Sequence, residues 1–228
     1  MKDITWTFNT LLLIFLLSAC NRQTGNKPAA TQSDTIAMES PQPASKQNIL
    51  FFGNSLTAGL GLESQQDAFP ALIQGKIDSA GLQYQCINAG LSGETSAGGK
   101  ERIDWLLKDS VAIFVLELGA NDGLRGIAPA ATYSNLAAIV DKVKKAYPDC
   151  KLVLAGMKVP PSMGDNYFKD FEAIFPKLAK EKNMTLVPFL LDKVAGNSSL
   201  NQQDGVHPTK EGQLILAHNV WSQLKEVL

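Results

Sequence analysis

Histidine is scarce in this chain, at 2 in 228 residues, and so is cysteine, at 3, with no two cysteines in a Cys-x-x-Cys pair. Metal sites built from several imidazoles are therefore excluded, as are paired-thiolate zinc or redox sites and a disulfide framework. A charge excess is missing too. With 21 basic against 22 acidic residues the formal net charge is -1, and nucleic-acid binding, which rests on neutralising phosphates with Lys and Arg, has no electrostatic basis. Disorder throughout is also excluded, because 45% of the residues are hydrophobic and 19% charged, enough to bury the core of one main domain.

No apolar run reaches the roughly 20 residues that a membrane-crossing helix needs. The longest at the N-terminus spans 11–17, behind Lys2, and is followed by Ser18, Ala19 and Cys20. A charged start, a short apolar stretch and small residues mark a secretory signal peptide over 1–19. Leu17-Ser18-Ala19-Cys20 resembles a bacterial lipobox. That implies acylation of Cys20, which becomes the first mature residue, and a bacterial cell-envelope location with the chain lipid-anchored on the periplasmic face, at the outer membrane. After Cys20 the chain is rich in Thr, Gln, Ser, Ala, Asn and Pro, too polar to offset its ordering entropy, so 20–46 is expected to be a disordered tether. The folded domain is expected over 47–228.

In that domain short apolar runs alternate with helical periodicity. Strands are expected at 48–52, 84–89, 111–118, 151–156 and 185–189, the third apolar on both faces as in a buried parallel sheet. Helices are expected through Phe69, Leu72, Ile73 and Ile77; through Tyr133, Leu136, Val140, Val143 and Tyr147; through Tyr167, Phe171, Ile174, Phe175 and Leu178; and through Leu214, Ala217, Trp221, Leu224 and Leu228. The alternation is that of a doubly wound α/β domain, whose ligands bind beyond the carboxyl ends of the strands.

The segments just after the strands are polar and rich in glycine: Gly53-Asn54-Ser55-Leu56, then 90–95, then Gly119-Ala120-Asn121-Asp122, with Asp204-Gly205-Val206-His207-Pro208 before the last helix. Ser55 stands on a tight turn, and a serine hydroxyl becomes a useful nucleophile only beside a base. Of the two histidines, His218 sits inside an amphipathic helix and reads as structural or solvated. His207 is the better base, since Asp204 three residues earlier can accept from its imidazole and fix the tautomer. Thr209 can cap the helix that follows. Acyl transfer also needs donors for the developing oxyanion. Gly93, lacking a Cβ, allows its N–H to approach closely, and Asn121 offers a neutral side-chain amide.

These four ordered blocks resemble those of the SGNH or GDSL hydrolases, and the likeness extends to 117–126 and 175–180, where bacterial thioesterases, lysophospholipases and arylesterases of that family are most similar. The resemblance implies a flavodoxin-like three-layer α/β/α sandwich with a five-stranded parallel sheet. It implies a serine hydrolase needing no cofactor or metal, with catalytic Ser55, Asp204 and His207 and an oxyanion hole of the Ser55 and Gly93 amides and the Asn121 side chain. One departure stands out: the family's usual aspartate before the nucleophile is Asn54 here. Ser55 keeps its place, so the departure touches the charge and hydrogen bonding of that turn, and with them the pH dependence.

The expected reaction is hydrolysis of acyl esters or thioesters through an acyl-serine. Asp122, Met157, Val159 and Pro160 are expected substrate contacts. Val159, Pro160, Pro161 and Met163 would line an apolar acyl groove beside 123–127, unless they simply cover the sheet edge. Partners are then a small acyl-ester substrate and, through the anchor, a membrane, with no nucleic acid and a monomeric chain. A carbohydrate O-acetylesterase is the alternative enzyme, and a non-catalytic binding lipoprotein the alternative of another class. Cys86 and Cys150, on strands that are not neighbours, are expected to be free buried thiols.

Overall fold

A computed structural model describes residues 46–228. The expected signal peptide, Cys20 and all of the tether before Lys46 lie outside the described residues. Five strands form one sheet: β1 (Gln47–Gly53), β2 (Tyr84–Gly90), β3 (Ile113–Glu117), β4 (Lys151–Ala155) and β5 (Thr185–Val187). All neighbouring pairs are parallel and the order is β2-β1-β3-β4-β5. Each expected strand is present, with no end moved by more than two residues. β5 stops before Pro188, which has no N–H to give the ladder.

The helices are α1 (Ser55–Ala58), α2 (Phe69–Ser79), α3 (Ser96–Arg102), α4 (Ala120–Leu124), α5 (Pro129–Ala146), α6 (Asp165–Lys182) and α7 (Lys210–Leu224). The short helices α1, α3 and α4 carry no readable periodicity. α2 and α7 pack together on one face of the sheet, and α3, α5 and α6 on the other, giving the expected three layers. β3, between them in the middle of the sheet, is buried along its whole length, which is why it reads as a continuous apolar run. Phe51, Phe52, Phe114, Ile49 and Leu116 form the centre of a single core.

α7 keeps only part of the expected stripe: Ala217 and Leu224 are buried, and Leu214 is not. Leu216, Ala217, Val220 and Leu224 face inward with Gln213, whereas Leu214 is about half exposed. The polar Gln213 takes the buried place because its Oε1 accepts from the Phe69 N–H at 2.9 Å, satisfying an orphan donor at the start of α2. Thr209 does cap α7, its hydroxyl receiving the Gly212 N–H. His218 is exposed on that helix.

Cys86 on β2 and Cys150 at the foot of β4 are separated by β1 and β3 and both are free thiols, Cys150 buried as expected but Cys86 only partly so. Burial pushes the Cys86 thiol up to about 12 and the Cys150 thiol up to about 11, so little thiolate forms near neutrality. In the native protein at pH 8, iodoacetamide is expected to leave both unmodified, and to alkylate both in denaturant, as peptide mass spectrometry would report.

Candidate active site

Because the strands are parallel, their carboxyl ends share one rim, and the register sets Gly53 level with Gly90 on β2 and Glu117 on β3. The chain leaves β1 at Gly53 and turns at once into α1. Asn54 is the N-cap, its Oδ1 accepting from the Leu56 N–H at 2.9 Å, and Ser55 is the first helical residue, 7% exposed.

His207 comes to this turn from a distant loop. An isolated bridge between Asn201 and Pro208 and the Gln202 N–H donating to the His207 carbonyl at 2.7 Å close that loop. His207 Nε2 lies 2.9 Å from Ser55 Oγ, and Nδ1 lies 2.6 Å from Asp204 Oδ2. The other Asp204 oxygen accepts from the Val206 and His207 backbone N–H groups at 2.9 and 3.0 Å. The His207 side chain and then these N–H groups hold the Asp204 carboxyl down at about 2. It therefore stays ionised at neutral pH, and the stability it contributes is present above its ordinary pKa and lost only as the pH falls through about 2.

The loop after β2 faces the same spot. The Leu91 N–H donates to the Gly53 carbonyl at 2.9 Å, and Gly93 follows at φ +79°, a conformation that suits glycine. Among the described residues, neither the Ser55 nor the Gly93 backbone N–H has a hydrogen-bond partner. Asn121, from α4, gives one amide hydrogen to the Glu94 carbonyl at 3.0 Å and keeps the other. The loop that carries Gly93 is thus tied to the end of β1 through Leu91 and to Asn121 through the Glu94 carbonyl. No three His, Cys, Asp or Glu side chains gather to hold a metal ion among the described residues.

Three expected substrate contacts lie elsewhere. Asp122 is fully buried, its carboxylate taken by the Ser96 N–H at 2.8 Å and by the Ser96 and Thr132 hydroxyls; it braces α4 against α3 and cannot meet a substrate. Met157 and Val159 are 2% and 4% exposed and belong to the core. A Cβ on Gly123 would overlap the Val159 side chain, so these apolar residues are taken up in packing the loop down. Pro160 alone is exposed.

Two supporting groups were not anticipated from the sequence. Glu94, nearly buried, is gripped by Arg102, whose Nε lies 2.6 Å from Oε1 and whose Nη2 also reaches Oε2 and the Ala89 carbonyl. The guanidinium lies over Phe52, 4.3 Å from the ring centre. Glu117, 1% exposed, lies beneath the Ser55 turn and accepts four hydrogen bonds from Asn54 and Thr57. A lone charged residue ending an otherwise apolar strand was the only available signal.

The GDSL-like Lipase/Acylhydrolase family model matches residues 51–215. Esterase TesA of Pseudomonas aeruginosa is 40% identical over 188 residues, 82% of this chain and 92% of the relative. Thioesterase 1/protease 1/lysophospholipase L1 of Escherichia coli is 37% identical over 186 residues, 81% of this chain and 86% of the relative. The crystal structure of AlinE4, an SGNH-hydrolase family esterase, matches with a TM-score of 0.67 and 36% identity, over 82% of this chain and 99% of that one.

Replacing Arg102 with alanine strands a buried carboxylate beside the Gly93 loop. The expected loss is about 3 kcal/mol, the low end for a broken buried pair, read from urea unfolding, and Arg102→Lys recovers part of it but not the two-pronged grip.

Proposed function

Since the chain belongs to the GDSL-like lipase/acylhydrolase family and is a serine hydrolase of ester bonds, we propose that Ser55 is its nucleophile, His207 its base and Asp204 the residue that orients the imidazole. The observation that carries this reading is the unbroken line from Ser55 Oγ through His207 to Asp204, at 2.9 and 2.6 Å. His207 Nε2 takes the serine proton as Oγ attacks the acyl carbon, and Asp204 stabilises the imidazolium that forms. The acyl oxygen, turning anionic, is received by the Ser55 and Gly93 N–H groups and by the free Asn121 hydrogen. The imidazolium then protonates the leaving group. Water, deprotonated by the same nitrogen, later releases the acid and restores the serine.

The substrate is an ester with an acyl chain of modest length. Of the six exposed large apolar side chains among the described residues, four follow the strands or lie in the segments of Ser55 and His207: Leu60, Leu91, Leu124 at the end of α4, and Val206. With Pro160 they offer a chain an apolar resting place at the mouth of the site. Tyr167 pins the base of the Leu124 loop, its hydroxyl donating to the Ile127 carbonyl at 2.7 Å. The lipobox-like Leu17-Ser18-Ala19-Cys20 supports acylation at Cys20 and a lipid-anchored chain in the bacterial cell envelope, where lysophospholipids are at hand.

Ser55→Ala is expected to abolish hydrolysis of aryl esters while thermal unfolding stays that of the parent; wild-type turnover in this variant contradicts the assignment. In a series from acetyl to octanoyl esters, each buried methylene is worth ~0.8 kcal/mol, or about fourfold in kcat/KM. A rise along the series supports the apolar mouth, whereas a preference for acetate points to an O-acetylesterase.

A further inference from the structure

The nucleophile turn rests on a buried carboxylate that the proposed reaction does not use. Glu117 Oε2 accepts from the Asn54 N–H at 3.1 Å, the Thr57 N–H at 3.3 Å and the Thr57 hydroxyl at 2.7 Å. Its Oε1 accepts from Asn54 Nδ2 at 2.8 Å. The other end of the same amide, Asn54 Oδ1, holds the Leu56 N–H and lies 3.4 Å from Ser55 Oγ. The amide is therefore locked in one orientation, because turning it over would lose both the cap and the bond to Glu117. A Cβ on Gly53 would overlap Thr57 Oγ1 and Glu117 Oε2, so the glycine of this turn is required by the carboxylate beneath it.

We propose that Glu117 is a positioning residue for Ser55, acting through opposite hydrogen-bond polarity at positions 54 and 117: a donor amide above an accepting carboxylate. The inference rests on Ser55 being the nucleophile. The function of the pair is to fix the Ser55 hydroxyl in the plane of the His207 imidazole, where a small misplacement is costly.

Only the ionised carboxylate can receive all four donors. Burial pushes the Glu117 carboxyl up, and the bonds from Thr57 and Asn54 draw it partly back, to about 7. The neighbouring carboxylates are engaged elsewhere, Glu94 with Arg102 and Asp122 with Ser96, and Asp204 with His207. Proton uptake by Glu117 puts an O–H where a donor already points. Activity then falls on the acid side through loss of the turn as well as through protonation of the base.

The test is a four-member cycle measured with the full chain. Glu117→Gln places an amide against the Asn54 amide, donor facing donor. It is expected to lower kcat ~10²-fold with KM nearly unchanged, and to reduce the acid limb of kcat from two protons to one. Asn54→Asp places two acceptors face to face, so the pair takes up a proton: kcat is expected to hold on the acid side and to fall on the alkaline side as that proton leaves. The double variant Asn54→Asp/Glu117→Gln reverses the polarity. Its amide at position 117 donates to one oxygen of the carboxylate at position 54, whose second oxygen keeps the Leu56 cap. It is expected to recover kcat to within about tenfold of the parent, far above the product of the single effects.

The rate of fluorophosphonate labelling at Ser55 should follow the same order. A double variant no faster than Glu117→Gln overturns the proposal, as does a Glu117→Gln chain with the parent's kcat and two-proton acid limb. A parent chain that turns over ester but takes no label at Ser55 refutes the nucleophile assignment instead, which separates the two failures.

Discussion

Parallel pairing is the constraint from which the rest of this molecule follows. Five strands that run the same way must end on the same rim, so loops that are 152 residues apart in sequence, such as those of Ser55 and His207, meet there. The register carries the detail. Gly53, Gly90 and Glu117 lie side by side at the end of β1, β2 and β3, and each strand hands over to a segment that contributes to the same small region. A shift of one residue in β1 would turn its side chains to the other face of the sheet and move Gly53 out of line with Gly90 and Glu117.

Polar burial around that rim is heavy and fully compensated. Glu94, Glu117 and Asp122 are each less than a tenth exposed, and an isolated carboxylate in such surroundings would cost several kcal/mol. Each is met by donors instead, an arginine for Glu94, backbone and side-chain donors from Asn54 and Thr57 for Glu117, and Ser96 with Thr132 for Asp122. Among the described residues no buried side-chain nitrogen or oxygen lacks a partner. Networks of this kind specify one arrangement of the loops. Rigid support of this kind suits acyl transfer, because groups already in place require no reorganisation when the oxyanion forms.

The sheet and its ligand-binding edge were legible because buried parallel strands leave long apolar runs and turn residues punctuate them. Ser55, Asp204 and His207, which the structure brings within hydrogen-bond reach of one another, were legible because their chemistry is local: a serine on a turn and a histidine three residues from an aspartate. What escaped was decided by tertiary packing. In α7 the buried place next to Leu214 goes to Gln213, whose side chain accepts from the Phe69 N–H. Asp122 was drawn inward by Ser96, and Val159 by the space above Gly123. Glu117 carried a signal too weak to interpret without knowing that Asn54 and Thr57 fold over it.

The claim that acylation occurs on Ser55 is tested most directly by stopping turnover of a slowly hydrolysed aryl ester with acid and mapping the acyl mass by peptide. The account predicts one acyl group per chain, on the peptide that holds Ser55, formed as rapidly as the first equivalent of phenol is released. Phenol release with no acyl mass on that peptide, or with the acyl group on another residue, would contradict it.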